Sequence, residues 1–412
     1  MHIDSLDDLL ARHEIKKAEI AIAKLLRTEL SNQERAGALI YRARVRLLSA
    51  RPDDAINDLM EVQALQPEYF NQPEIIELLG DSYLARFELA TVGFADRNDT
   101  LQAQNLYHRI LNDFPDYMNQ GWVYYQLGRI ALTDNLHTQA EPYFQQALMT
   151  PSHVPALTAY CYERLGFIAF YEKRDLNQAL GFLDKAIHTY PASENPVRLV
   201  QIHILRSRVL RERQEYKQAL AAAEKAVSIA LNSGVENRAG LAEALLTAGE
   251  MLADFEGRER DAIHYLQQFL QISRTPLGVD VTWSRVHEIL GDAYSKLMQH
   301  DLAIEAYEAA LQYNPYHPWE MSLHYRIARS YYHQSDYANA VAAIERLVAA
   351  AEAEGEQIQD YRIYDVLGNA QFALGHYAEA VAAYQKALET APANAEGLDK
   401  IRKYHEFAQE LS

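Results

Sequence analysis

The sequence predicts an all-α fold: a right-handed superhelical solenoid of about nine to ten helical hairpins with a C-terminal capping helix. Three observations predict it. A skeleton of Ala380, Tyr384, Ala387 and Pro392 recurs unchanged as Ala303, Tyr307, Ala310 and Pro315, with looser copies beginning at Ala55, Ala103, Ala140 and Ala179. A second signature, Leu-Gly, precedes several copies at a nearly constant offset: Leu79-Gly80, Leu127-Gly128, Leu165-Gly166, Leu290-Gly291 and Leu367-Gly368. No stretch shows the pattern of a strand, and no glycine-rich strand-to-helix turn is present.

The spacing dictates each element in turn. Leu-Gly in the middle of one helix and Ala at the start of the next let two antiparallel helices approach closely, and the bulky residue four positions after the Ala fills the gap. The proline twelve residues after the Ala, as from Ala380 to Pro392, ends the second helix. Such a hairpin cannot bury its own apolar face, so its neighbours must stack on it.

This unit resembles the tetratricopeptide repeat. The stretch 361–394 matches that family with Tyr364, Leu367, Gly368, Ala380, Tyr384, Ala387 and Pro392, and departs from it at Gln371. Further units are expected near 36–69, 73–116, 121–154, 159–192, 200–233, 242–275, 284–317 and 321–354. Those at 200 and 242 are degenerate. The organisation expected is an N-terminal helical hairpin or cap over 1–35, a repeat array over 36–394 and a capping helix over 395–412. In the cap, Leu398, Ile401, Tyr404 and Ala408 share one face. The unit at 73 carries an insertion of roughly eleven residues between Gly80 and Ala103, which lengthens both helices or forms a protruding loop near 85–102.

Composition narrows the function. Of 412 residues, 49% are hydrophobic and 23% charged, enough apolar material for a folded chain. The net charge of -18 argues against nucleic-acid or anionic-membrane surfaces, which need accumulated positive charge. The opening residues lack a basic segment followed by an apolar core, and no apolar run is long enough to span a bilayer, so neither secretion nor membrane insertion is expected. A single cysteine, Cys161, allows no intramolecular disulfide and fits a reducing cytoplasm; its apolar surroundings read as a small buried side chain.

No catalytic motif appears, neither a P-loop nor H-E-x-x-H nor a nucleophile elbow, so an enzyme is not expected and no cofactor is implied. His203, His287 and His324 occupy equivalent positions in their units. Equivalent positions are displaced along a solenoid and do not converge on a metal ion, so these histidines read as replacements of packing aromatics.

The resemblance implies that the first helix of each hairpin lines a concave groove, with unit positions 2, 5, 9 and 12 facing it. In this register the groove carries Arg44, Arg129, Arg208, Arg211, Arg285, Arg329 and Arg362 against Glu74, Glu77, Asp81, Glu163, Glu243, Glu250, Glu288, Asp292 and Asp365. Glu74, Glu77 and Asp81 make an acidic stretch near the N-terminus. Trp122, Tyr125, Arg129, Tyr160, Phe167, Phe170, Arg208 and Arg211 form a central aromatic and basic stretch suited to apolar anchors beside a carboxylate, with Phe167 and Phe170 either in the groove or packed between repeats. Arg285, Tyr325, Arg329, Arg362 and Asn369 extend the candidate surface toward the C-terminus. A terminal-carboxylate clamp of the kind known in the family is not expected, because Asp365 stands where its lysine would be.

The leading expectation is a non-enzymatic cytoplasmic scaffold or adaptor that binds a segment of another protein. A peptide-responsive regulator and a self-assembling homo-oligomeric scaffold are the alternatives. The regulators of this kind carry an N-terminal output domain, whereas the repeats here begin almost at residue 1.

Overall fold

Small residues decide where two helices can touch, and the observed helices follow them. The computed structural model describes residues 6, 9, 14–90, 95–134, 136–233, 238–253, 255–314, 320–353 and 355–412. Every regular element among these is helical, and the chain divides into two compact units, Met1–Glu194 and Asn195–Ser412. In the first unit, α1 (Ile15–Leu25) precedes the hairpins α2–α3 (Asn32–Leu48, Pro52–Leu65), α4–α5 (Pro73–Leu89, Arg97–Asp113), α6–α7 (Gln120–Thr133, His137–Met149) and α8–α9 (Leu157–Tyr171, Leu176–Thr189). The second holds α10–α11 (Val197–Glu212, Tyr216–Asn232), α12–α13 (Arg238–Ala253, Glu259–Ile272), α14–α15 (Val281–Lys296, His300–Tyr313), α16–α17 (Glu320–His333, Tyr337–Ala353), α18–α19 (Tyr361–Ala373, Tyr377–Thr390) and α20 (Leu398–Leu411).

The alanine that opens each second helix is sealed from solvent in all nine hairpins among the described residues: Ala55, Ala103, Ala140, Ala179, Ala219, Ala262, Ala303, Ala340 and Ala380 are each 0% exposed. Opposite it, the middle of each first helix carries Ala43, Gly80, Gly128, Gly166, Ser207, Gly249, Gly291, Ala328 or Gly368, all buried. The glycines are needed for space. A Cβ on Gly368 would come within 2.6 Å of the Tyr384 ring, and one on Gly128 within 2.7 Å of Phe144.

The degenerate unit near 200 keeps the same approach by another route. Ser207 replaces the glycine, and its hydroxyl donates to the Ala219 carbonyl at 2.7 Å, so the polar group is satisfied inside the contact. The helices of the two degenerate units begin at Val197 and Arg238, slightly ahead of the expected 200 and 242. The insertion lengthens both of its helices. Each of α4 and α5 has 17 residues against 14 and 13 in α6 and α7, while residues 91–94 lie outside those described. Much of the segment before Glu14, and Pro315 of the repeating skeleton, also lie outside the described residues.

Successive hairpins close over each other's apolar faces. Ile76, Tyr107 and Ile110 of α4–α5 share a cluster with Val123, Leu127 and Ile130 of α6. Tyr307 and Ala310 of α15 share one with Leu323 and Ile327 of α16. The last exposed face is covered by α20, whose Ile401 and Ala408 bury against Ala380, Tyr384 and Ala387. No described helix is long and apolar enough to cross a membrane.

The packing assigns opposite signs to one substitution at two sites. Gly181 lies on an exposed face of α9 with nothing near its missing Cβ, so Gly181→Ala should stabilise the chain by up to about 1 kcal/mol through helix propensity. Gly368→Ala gains the same propensity but drives a methyl into Tyr384, and overpacking of roughly 1–3 kcal/mol should outweigh it. Thermal melts of both variants check the prediction: Tm rises in the first and falls in the second.

Candidate functional site

First helices pack against first helices: α2 with α4, α4 with α6, α6 with α8, and, in the second unit, α10 with α12, α12 with α14 and α16 with α18. Second helices make no comparable contact with one another and meet the next first helix instead. The stack is therefore tighter on the first-helix side, which makes that side the inner face of each unit.

Among the described residues the hairpin core reaches through to this face at three places. The Tyr107 hydroxyl donates to Asp81 Oδ1 at 2.6 Å, Tyr307 to Asp292 Oδ1 at 2.8 Å, and Tyr384 to Asn369 Oδ1 at 3.0 Å. In each hairpin the acceptor follows the glycine on which the tyrosine ring lies: Gly80, Gly291 and Gly368. Removing the side chain at that glycine lets the ring lie flat on the first helix, and the hydroxyl then emerges beside the next residue. Where the residue four after the alanine is not tyrosine (Leu59, Phe144, Leu183, Ala223, Leu266 or Ile344), the groove position holds Arg44, Arg129, Phe167, Arg208, Glu250 or Arg329. Tyrosine thus pairs with an Asp or Asn in every case. This coupling is visible in the sequence and is the signal that reading groove positions one at a time misses.

In the N-terminal unit the acidic stretch is woven into a network. Asp81 also accepts from Gln126 Nε2 at 2.8 Å and from the Trp122 indole N–H at 3.0 Å. Glu77 accepts from the Tyr117 hydroxyl at 3.0 Å and from Asn119 Nδ2 at 2.9 Å. Burial, and then the neighbouring Asp81, push the Glu77 carboxyl up to about 8; burial raises Asp81 as well. Arg129 pairs with Glu88, donates to Gln126 Oε1 at 2.8 Å and stands over the Tyr125 ring.

The central aromatics are placed differently from the expectation. Tyr125 is 0% exposed, Phe170 5% and Tyr160 9%. Tyr125 lies between Trp122, Phe144 and Tyr160, filling the wedge between α6–α7 and α8, so its ring offers no surface to a partner. Phe170 packs edge-on against Tyr171, and Tyr160 shows only its rim, with its hydroxyl donating to Glu194 at 3.2 Å. Burial of these rings is the hydrophobic gain that holds consecutive hairpins together. Trp122 and Phe167 stay half-buried, Phe167 with its ring 4.6 Å from Tyr171. Arg208 and Arg211 belong to the C-terminal unit; both are half-buried, with Arg208 on Glu243 at 3.0 Å and Arg211 also engaged.

Farther along the second unit, α16, α18 and the segment before α18 enclose a cleft of about 500 Å³. Tyr325, Arg329 and Arg362, all expected groove residues, line it, and so does Arg326, which the groove positions do not include. Arg326 donates to Asp292 at 2.7 and 2.8 Å and to Glu288 at 3.3 Å. Arg362 is held by Asp360 at 2.6 Å, and Arg285 by Glu288 at 2.8 Å. Arg329 is exposed and has no hydrogen bond or ion pair among the described residues. Asn369 is committed on both sides, accepting from Tyr384 and donating to Asp365 at 2.8 Å.

The cysteine and the three equivalent histidines are withdrawn from solvent to different degrees, Cys161 buried and the histidines half-buried. The Cys161 thiol is 0% exposed and pushed up to about 12 by burial. Burial lowers all three equivalent histidines, His203 to about 4, which disfavours their charged form. Among the described residues no three histidine, cysteine or carboxylate side chains group as a metal site.

The tetratricopeptide repeat family matches residues 319–393, and also 123–150 and 284–317. Among similar solved structures is a tetratricopeptide repeat protein from Parabacteroides merdae, 16% identical with a TM-score of 0.40, covering 70% of this chain and 98% of that one. The C-terminal part of a TPR repeat-containing protein from Cytophaga hutchinsonii is 16% identical with a TM-score of 0.46, covering 67% and 98%. The P58(IPK) TPR domain is 15% identical with a TM-score of 0.33, covering 100% and 97%. No curated protein matches the sequence.

The acidic network makes the N-terminal unit sensitive to pH. The folded chain holds the Glu77 proton up to about 8, whereas the unfolded carboxyl releases it near 4.5, so stability is lost as pH rises across that interval. Tm measured through this range should fall with rising pH in the native chain and fall less in Glu77→Gln, which carries no proton to lose.

Proposed function

The chain is a tetratricopeptide-repeat protein, and from that premise we propose that it is a non-enzymatic scaffold or adaptor whose inner face binds a segment of a partner polypeptide. The observation that carries this reading is the preparation of the inner face. Asp81, Asp292 and Asn369 are held from the core by tyrosine hydroxyls, and Trp122, Arg326 and Arg362 are held by neighbouring carboxylates. Side chains fixed before a ligand arrives lose little conformational entropy when it binds.

A polypeptide suits this surface better than nucleic acid, because a net charge of -18 works against the accumulated positive charge that a phosphate backbone requires. The single cysteine is buried, in keeping with work in a reducing cytoplasm. The acidic stretch at Glu77 and Asp81 and the arginine-lined cleft at Arg329 lie in different units, so each is a separate contact region within its own unit.

Site-specific photo-crosslinking in cells of the source organism tests the reading. Crosslinkers placed singly at exposed first-helix positions Arg285, Arg329 and Arg362 should trap a polypeptide, whereas crosslinkers at exposed second-helix positions Glu305 and Lys386 should not. Capture from the second-helix positions alone, or of no polypeptide from the first-helix set, would overturn it.

A further inference from the structure

The cleft in the C-terminal unit carries one unmatched positive charge. Its three arginines have different fates. Arg326 is shared between Asp292 and Glu288, and Arg362 is held by two oxygens of Asp360. Arg329 alone of the three is exposed with no carboxylate on it among the described residues.

The nearby acids are committed as well. Asp292 takes the Tyr307 hydroxyl and Arg326, Asp365 takes the Asn369 amide, and Asp360 caps the α18 N-terminus while pairing with Arg362. In a chain with 57 acidic against 39 basic residues, an arginine in a concave cleft without an acid is a vacancy for an external anion.

The surroundings describe that anion. Tyr325 precedes Arg329 by one helical turn, which puts the ring and the guanidinium on one face. Met321 and Ile358 are half-buried beside them and Ile363 forms the floor, so the cleft has an apolar wall next to its charge. Hairpins α14–α15 and α18–α19 continue the inner face on either side, so a chain can run through the cleft as well as end in it. One unpaired arginine matches one carboxylate. A phosphate dianion would need a second uncommitted cation, and Arg326 and Arg362 are already neutralised.

We propose that this cleft binds an extended, internal segment of the partner polypeptide by seating one Asp or Glu side chain on Arg329, with an adjacent apolar residue against Tyr325 and Met321. The proposal rests on the inner-face reading above and specifies what that face reads. The guanidinium offers two parallel N–H donors to the carboxylate in a geometry lysine does not reproduce. Tyr307 supports the arrangement from behind, because its hydroxyl on Asp292 helps keep that carboxylate with Arg326 and away from Arg329.

The test is a display selection of random decapeptides, both ends joined to carrier sequence, on the full-length protein. The expected consensus contains one invariant acidic position with an apolar neighbour. Replacing that Asp or Glu by its amide in the enriched peptide should weaken binding about tenfold or more, and Arg329→Gln should do the same. Applied together, the two changes should weaken binding no further than either alone, since they remove the same contact. Arg362→Gln should have a smaller effect, because Arg362 is already paired with Asp360.

The absence of enriched peptides, a consensus without an acidic residue, or additive effects of the two changes would each overturn the proposal. So would binding that appears only with a free terminal carboxylate or a phosphorylated residue. Crosslinking of a partner at Arg329 combined with any of these outcomes would leave the inner-face reading standing and remove only the carboxylate assignment.

Discussion

The structure depends on one close approach, where the middle of each first helix meets the first turns of the second. Glycine, alanine or serine occupies that point in all nine hairpins among the described residues, and a fully buried alanine faces it from the other helix. Tight approach lets the residue one turn later, bulky in every described hairpin but the one with Ala223, lie directly on the first helix, which excludes water and sets the hairpin angle. Each hairpin remains incomplete by itself, and its outer apolar residues are covered by the next, down to α20 at the end of the array. Stability in such an array is a sum of local terms and neighbour contacts, so the same constraint acts again in every repeat.

The same approach links the core to the inner face. A tyrosine lying on a glycine delivers its hydroxyl to the side chain that follows the glycine, and Asp81, Asp292 and Asn369 are fixed in this way. Side chains in the other hairpins' equivalent positions are not fixed from behind and depend on neighbours along the face. Arg129 finds Glu88 and Arg208 finds Glu243, while Arg329 finds no partner among the described residues. The inner face is therefore divided by its core into positions that build and positions left available.

Much of the fold was legible because its cause is periodic. A small residue in the first helix and an alanine opening the second recur in every described hairpin, and a proline closes several, so the helices fall within a few residues of the positions read from spacing, even where Ser207 replaces glycine. The candidate site was legible only in part. Unit position identifies which side of a first helix a residue occupies, but not whether the next hairpin covers it. Tyr125 and Phe170 have the right register and are buried, Tyr125 because its ring fills the wedge between neighbouring hairpins. Arginine at the same register stays nearer the solvent, since burying its charge without a partner is costly, and the expectations for Arg285, Arg329 and Arg362 coincide with exposed residues. Arg326 lay outside the register altogether and is engaged through carboxylates of the preceding hairpin, a relation that only the stacking defines.

The central claim is that the core tyrosine holds the inner-face carboxylate through the glycine gap. A double-mutant cycle on stability with Tyr107→Phe and Asp81→Ala measures that contact directly, because Trp122, Gln126 and the other partners of Asp81 cancel in the cycle. The account requires a coupling of about 1 kcal/mol or more, as expected for a buried hydroxyl on a carboxylate. Additive effects of the two substitutions would contradict it and would leave the inner face without its link to the core.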